Sequence, residues 1–349
     1  MTTSASAATT TSVVRALTLA ARHAAHPDAD YPDADYPDAD YPDAGSPAGP
    51  SHPCRACGRE ETVLADRSDG VVVRHGAVVA KAHAPGTDPA GHRARLSVAA
   101  HPLLAGILLP PLPTTTRHVA GRPVTVWPYG TPVDPDRPDD APWEAAGTLL
   151  ALLHAVPPAA LAPLPLPPTR GPLKAAQALS RMRAAGPHPA AADVERAWAG
   201  LPAWARDEAP APAGGSLCHG DLHLGQLVRH PVTDGPWLLI DVDDLGLGDA
   251  AWDLARPAAW YAAGLLAPDE WGRFLGAYRT AGGPAVPADG DPWPRLDVPA
   301  RALTVQTAAL AVAKSTEQGR QPDEVEGTMI ETCARIATLP TELAAGPAS

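Results

Sequence analysis

Between Glu61 and Trp127 apolar and polar positions alternate in short runs broken by turn residues, the pattern of half-buried strands. Thr62 to Ala65, Val71 to Arg74 and Ala77 to His83 read as three strands, separated by Asp66-Arg67-Ser68-Asp69-Gly70 and by His75-Gly76. Thr115 to Val119 and Pro123 to Trp127 form a further hairpin around Ala120-Gly121. A helix is expected from Asp88, a capping side chain ahead of Pro89, to about Ala100. These elements make a five-stranded antiparallel sheet with one helix.

Past Trp127-Pro128-Tyr129-Gly130-Thr131-Pro132, which reads as a hinge, the period lengthens to that of helices. Pro142 to Val156 carries Leu149, Leu150, Leu152 and Leu153. Further helices are expected near 172–185, 190–207, 250–261, 268–281, 299–318 and 323–339. Short strands at 216–218, 227–229 and 237–240 interrupt them. The fold class is α+β, with a small antiparallel β lobe at 51–130 and a large, mostly helical lobe at 131–340. Residues 1–50 are expected to be an extension without fixed structure, at most briefly helical, and 341–349 a tail. Within the extension, HPDAD, YPDAD, YPDAD and YPDAG follow one another over 26–45, with seven aspartates and no base. Proline every fifth residue forbids a helix there, and the like charges repel.

Charge and composition narrow the function. A net charge of -12 over 349 residues argues against general nucleic-acid binding, and no apolar run is long enough for a membrane helix. Four cysteines make no disulfide framework in a chain this long, so a cytoplasmic location is expected. Cys54-Arg-Ala-Cys57, preceded by His52, has the spacing of half a zinc ribbon, but no second close pair completes it. The reading at this level is two reduced thiols.

The densest chemistry runs from His219 to Asp253. Asp221 is the candidate catalytic carboxylate, placed to orient an attacking hydroxyl and accept its proton. Gln226, five residues on, and Asp241, after the apolar run Leu238-Leu239-Ile240, are candidate magnesium ligands through oxygen. Asp243, Asp244 and His223 are candidates for touching substrate; the two acids also suit a second metal position or plain solvent exposure. Asp249 and Asp253 read as helix caps. Lys81, one of only three lysines, lies on an apolar strand and is a candidate for the nucleotide's phosphates. Trp127 and Tyr129 are candidates for an adenine slot or for packing.

His219-Gly220-Asp221 through Gln226, Ile240-Asp241 and Gly248-Asp249-Ala-Ala-Trp252-Asp253 resemble the aminoglycoside phosphotransferase and choline kinase-like superfamily. The string His-Gly-Asp-Leu-His-Leu-Gly-Gln resembles that of maltokinases. The resemblance covers about residues 60 to 340 and implies a bilobal, protein-kinase-like fold. It implies that Asp221 is the base, Gln226 and Asp241 hold Mg2+, and Lys81 binds ATP or GTP. By the same resemblance, Ser68 and Gly70 in the first turn cover the phosphates, and residues 127–130 hold the adenine. The function it implies is transfer of a terminal phosphate to a hydroxyl of an aminoglycoside-like or other small metabolite. The acids Asp243, Asp244, Glu270 and Glu317 would suit an amino-bearing acceptor. A maltokinase-like sugar kinase and a non-catalytic pseudokinase that binds nucleotide or a partner are the alternatives. Helix 88–100 carries no glutamate to pair with Lys81.

Overall fold

The computed structural model describes residues 2–29, 53–67, 69–113, 117–212 and 214–338. Residues 30–45 of the acidic repeat and Ser68 lie outside the described residues. The chain divides into two units, 1–132 with 228–240, and 133–227 with 241–349.

The first unit is built on the expected sheet. Strands β1 (Thr62–Arg67), β2 (Gly70–His75), β3 (Val78–Ala82), β4 (Arg117–Val119) and β5 (Arg122–Pro128) are ordered β1-β2-β3-β5-β4, antiparallel throughout. Alternation on β2 and β3 turns Val71, Val73, Val78, Ala80 and Ala82 to one buried face.

That face is covered by an element expected to lack structure. Helix α1 (Thr2–Ala25) lays Val13, Leu17, Ala20 and Ala21 on the sheet valines. The small residues that make this stretch look bland allow close packing, and the spacing of its buried positions is helical. The expectation of an unstructured extension is therefore corrected over 2–25.

Helix α2 (Pro89–Ala99) begins as its sequence demands, with the Asp88 carboxylate accepting from the Ala90 and Gly91 amides at 3.2 and 2.8 Å. A small second sheet joins β6 (Thr131–Pro132), β8 (Leu227–Arg229) and β9 (Trp237–Leu239). Residues 228–240, expected in the helical lobe, thus cluster with the first unit. Pairing of Arg229 with Thr131 and of Leu239 with Leu108 holds them there.

The second unit holds α3 (Trp143–Ala155), α4 (Gly171–Ala185), α5 (Ala191–Ala199), α6 (Ala255–Ala263), α7 (Pro268–Thr280), α8 (Trp293–Gln318) and α9 (Glu324–Ile336). Helix α8 starts six residues earlier than expected and carries Pro299 inside it. Leu179, Met182, Val194, Trp198, Val305 and Val312 are among the buried side chains between α4, α5, α8 and α9. Strand β7 (Ser216–Cys218) pairs with β10 (Gly246–Gly248), and this ribbon carries the motif loops at its ends. Among the described residues, no helix is long and apolar enough to cross a membrane.

Candidate active site

The loop after β7 is held by a buried carboxylate. Asp253, expected to cap a helix, instead accepts the backbone N–H groups of His219 and Gly220 at 2.6 and 2.7 Å. Its Oδ2 also lies 2.9 Å from His154 Nε2, and His154 Nδ1 lies 2.9 Å from the Tyr278 hydroxyl. Burial pushes the Asp253 pKa up, but the hydrogen bond and charge of His154, with the Gly220 amide, outweigh it and hold the carboxyl below its ordinary value. The group is an ionised acceptor locked under the loop. Asp249 does cap, accepting from the Ala251 amide at 3.0 Å.

Gly220 has φ +83°, and a Cβ there would meet the Asp244 carbonyl oxygen at 2.4 Å. Glycine is required twice over, by conformation and by space. The turn presents Asp221 with a side chain 35% exposed, open to a reactant. Arg256 Nη2 donates to Asp221 Oδ1 at 3.0 Å, and Lys174 Nζ lies 3.8 Å from the same atom.

Lys174 also donates to the Gly220 carbonyl at 3.2 Å and pairs with Asp244, which Arg170 Nε meets at 3.0 Å. Burial raises the Asp244 pKa, and the two cations more than reverse it, holding it below the ordinary value. Asp244 is thus committed to Lys174 and Arg170 and is no bare anion awaiting a cationic substrate. Two of the other three acids expected to attract an amino-bearing acceptor are also engaged. Glu270 accepts from Trp143 Nε1 at 3.0 Å and from the Ala267 amide at 2.9 Å, and Glu317 pairs with Arg181.

Gln226 ends a short 3-10 turn and is buried. His223 Nδ1 accepts the Gly225 amide at 3.1 Å, and its Nε2 lies 3.2 Å from the Gln226 amide group. Burial, with Arg256 nearby, lowers the His223 pKa and favours the neutral ring. Asp241 sits at φ +62°, a conformation that non-glycine residues rarely adopt, and its Oδ1 lies 3.4 Å from the Asp243 amide. A strained backbone that re-aims a carboxylate at a strand end is the kind of outlier that accompanies function.

The remaining candidates lie in the first unit. Lys81 is half-buried on β3, in register with Val72 and Thr125. Gly70 opens β2 at ordinary backbone angles. Trp127 is 8% exposed, and its Nε1 donates to Thr125 Oγ1 at 2.8 Å, so packing is its visible role. The Tyr129 ring has the Arg74 guanidinium 3.4 Å above its centroid, so one face is already covered. On α2, where no glutamate occurs, His92 stands edge-on to His83 with ring centroids 4.3 Å apart.

The sequence model of the phosphotransferase enzyme family matches residues 65–297, about two thirds of the chain. The chain belongs to this family. Among solved structures, it is similar to a thermostable mutant of aminoglycoside phosphotransferase APH(4)-Ia, at TM-score 0.55 and 14% identity, covering 80% of this chain and 94% of that one. It is also similar to spectinomycin phosphotransferase APH(9)-Ia in complex with ADP and spectinomycin, at TM-score 0.52 and 14% identity, over 81% and 93%. A choline/ethanolamine kinase family protein from Mesorhizobium loti aligns at TM-score 0.50 and 14% identity, over 79% and 93%. No curated protein matches. At these identities the likeness shows the fold, which is protein-kinase-like.

In this phosphotransferase the residues that sequence reasoning missed are Lys174, Arg256 and His154. Lys174 is one of three lysines, which was the available signal. Arg256 comes directly after the Asp253-Leu-Ala run and reaches back to both Asp221 and the Leu222 carbonyl. His154 ends the leucine-rich helix and looks like an ordinary last-turn histidine until Asp253 is placed against it.

Proposed function

We propose that this phosphotransferase moves the terminal phosphoryl group of ATP or GTP to a hydroxyl of a small, polyhydroxylated molecule. The observation that carries the reading is Asp221: a half-exposed carboxylate on a turn whose amides are fixed from below by Asp253. Phosphoryl transfer asks the protein mainly to position groups and to balance charge. Asp221 orients the acceptor hydroxyl and takes its proton, while Arg256 and Lys174 hold the carboxylate in place. Gln226 and Asp241 offer oxygen donors, the set that magnesium prefers, and they are the residues that would hold it. Magnesium, when bound, offsets the charge of the terminal phosphates. Lys81 supplies a cation for the inner ones.

The charge around Asp221 favours a neutral acceptor over a polycation. Asp221 and Asp244 are balanced by Lys174, Arg170 and Arg256, and Glu270 and Glu317 are engaged elsewhere. A sugar such as maltose therefore ranks ahead of an aminoglycoside.

The test is acceptor-dependent ADP or GDP release with magnesium, over neutral sugars and aminoglycosides. Turnover with a sugar and none with aminoglycosides is the expected result; the reverse ranking overturns the choice of acceptor. Asp221→Asn should lower turnover by about 10²–10⁴-fold while the melting curve stays in place. Undiminished turnover in that variant removes Asp221 from the base role. If neither nucleotide stabilises the chain with magnesium, where a ligand at a hundred times Kd adds about 2.7 kcal/mol, the kinase reading gives way to a non-catalytic pseudokinase that binds a partner.

A further inference from the structure

The first unit brings together four side chains that have no place in phosphoryl transfer. His26 follows α1, Cys54 and Cys57 lie in the turn ahead of β1, and His75 ends β2. One ligand atom from each falls within 4.8 Å of all the others. Cys57 Sγ lies 3.4 Å from His75 Nε2, and His75 Nε2 lies 3.4 Å from His26 Nε2. Zinc bound at about 2.3 Å by sulfur and about 2.0–2.1 Å by nitrogen spaces tetrahedral ligand atoms about 3.3–3.8 Å apart. Both of these separations fall in that range.

The surroundings are those of a built site. Cys54 and His75 are each 1% exposed, and all four cysteines of the chain are thiols rather than disulfides. The Cys54–Cys57 turn is closed by the Gly58 amide donating to the Cys54 carbonyl at 2.7 Å and the Cys54 amide donating to Arg59 at 2.8 Å. Gly58 has φ +68°, which lets the chain fold back directly after the second thiol. Behind His75, Glu61 Oε1 lies 3.1 Å from Nδ1, leaving Nε2 toward the thiols. Glu61 is itself gripped by Arg22, whose Nη2 donates to Oε2 at 2.9 Å, one turn ahead of His26. A carboxylate behind a histidine fixes its ring and tautomer for a metal on the other nitrogen.

We propose that His26, Cys54, Cys57 and His75 form a Cys2His2 site for a structural Zn2+. The donor set is soft enough to select zinc over magnesium, and four protein ligands make a closed site. The ion ties three segments together: the end of α1, the turn ahead of β1 and the end of β2. It secures the helix that covers the sheet.

The full-length chain, purified without chelator, should carry about one zinc per molecule by elemental analysis. The Cys57→Ser variant should retain less than about a fifth of that. Cys57 is exposed, so this substitution leaves the core alone. Chain stripped with a chelator and titrated with Co2+ should develop the visible bands of tetrahedral cobalt and a thiolate charge-transfer band, saturating at one equivalent. Zinc should displace the cobalt. The cobalt titration needs only the unmutated chain, so a variant that fails to fold does not decide the matter. Less than about a tenth of an equivalent of zinc after loading, no tetrahedral cobalt spectrum, full zinc retention by Cys57→Ser, or a Cys54–Cys57 disulfide would each overturn the site. None of these readings depends on catalysis.

Discussion

The carboxylate of Asp253 holds the backbone N–H of Gly220 at 2.7 Å, thirty-three residues away in sequence. One buried acid thereby fixes the turn that presents Asp221. Asp253→Asn replaces an acceptor with a donor under two amides and removes the partner of His154. The expected cost is about 3 kcal/mol, because a buried network loses its central charge. Since the folded pKa lies below its ordinary value, the stabilisation is complete above the unfolded value of about 3.9 and is lost as pH falls through the folded one. Melting temperature against pH should therefore fall below about pH 4 in the parent chain and fall less steeply in Asp253→Asn. Parallel curves would show that Asp253 does not carry the acid sensitivity.

Gly220→Ala tests the turn itself. The added methyl meets the Asp244 carbonyl oxygen at 2.4 Å at a φ of +83°, and the obstacle is backbone. Activity should drop by at least about 10²-fold, since small misplacements of a reacting group are costly. Stability should fall by about 1–3 kcal/mol. A variant with parent-like kinetics would mean that the turn relaxes without moving Asp221.

Gly147 makes a different point, about packing alone. On α3 it lies so close to α7 that a Cβ would stand 2.2 Å from the Phe274 carbonyl oxygen. Gly147→Ala should destabilise the second unit by about 2 kcal/mol or more, despite alanine's better helix propensity. Urea denaturation measures this, and a neutral or stabilising result would place the two helices further apart.

Gln226 and His223 are coupled. A neutral ring has one acceptor nitrogen, and Nδ1 already takes the Gly225 amide, so Nε2–H is a donor. It is satisfied when the Gln226 amide turns its oxygen toward it, which leaves that oxygen a second lone pair for a metal. His223→Ala should then raise the magnesium concentration for half-maximal turnover by about threefold to tenfold, with little change in acceptor KM. An altered acceptor KM with unchanged magnesium dependence would instead make His223 a substrate contact.

The small sheet was legible because Val71 to Arg74 and Ala77 to His83 are short, mostly apolar runs rich in β-branched residues, and the break between them, His75-Gly76, carries a turn residue. Asp221, Gln226 and Asp241 stand out in the sequence as a spacing, and the roles given to them are those of the proposal. Lys174, Arg256 and His154 were not legible, since ion pairs to a loop leave no periodic trace. The four zinc-site residues were half visible: Cys54 and Cys57 form a local pair, but His26 and His75 are separated by 49 positions and meet only through the fold. Helix α1 shows a limit of composition. Its Ser, Thr and Ala content suggested an unstructured stretch, while Val13, Leu17 and Ala21 recurred at four-residue intervals.

One ligand atom of His26 and one of Cys54 lie within 4.8 Å of each other, so the segment of the sequence that contains the acidic pentapeptide repeat is bounded by two residues that meet. Adding one five-residue unit lengthens the closed segment only slightly and costs about 0.2 kcal/mol of closure entropy. Closure entropy therefore sets almost no limit on the number of repeat units between His26 and Cys54.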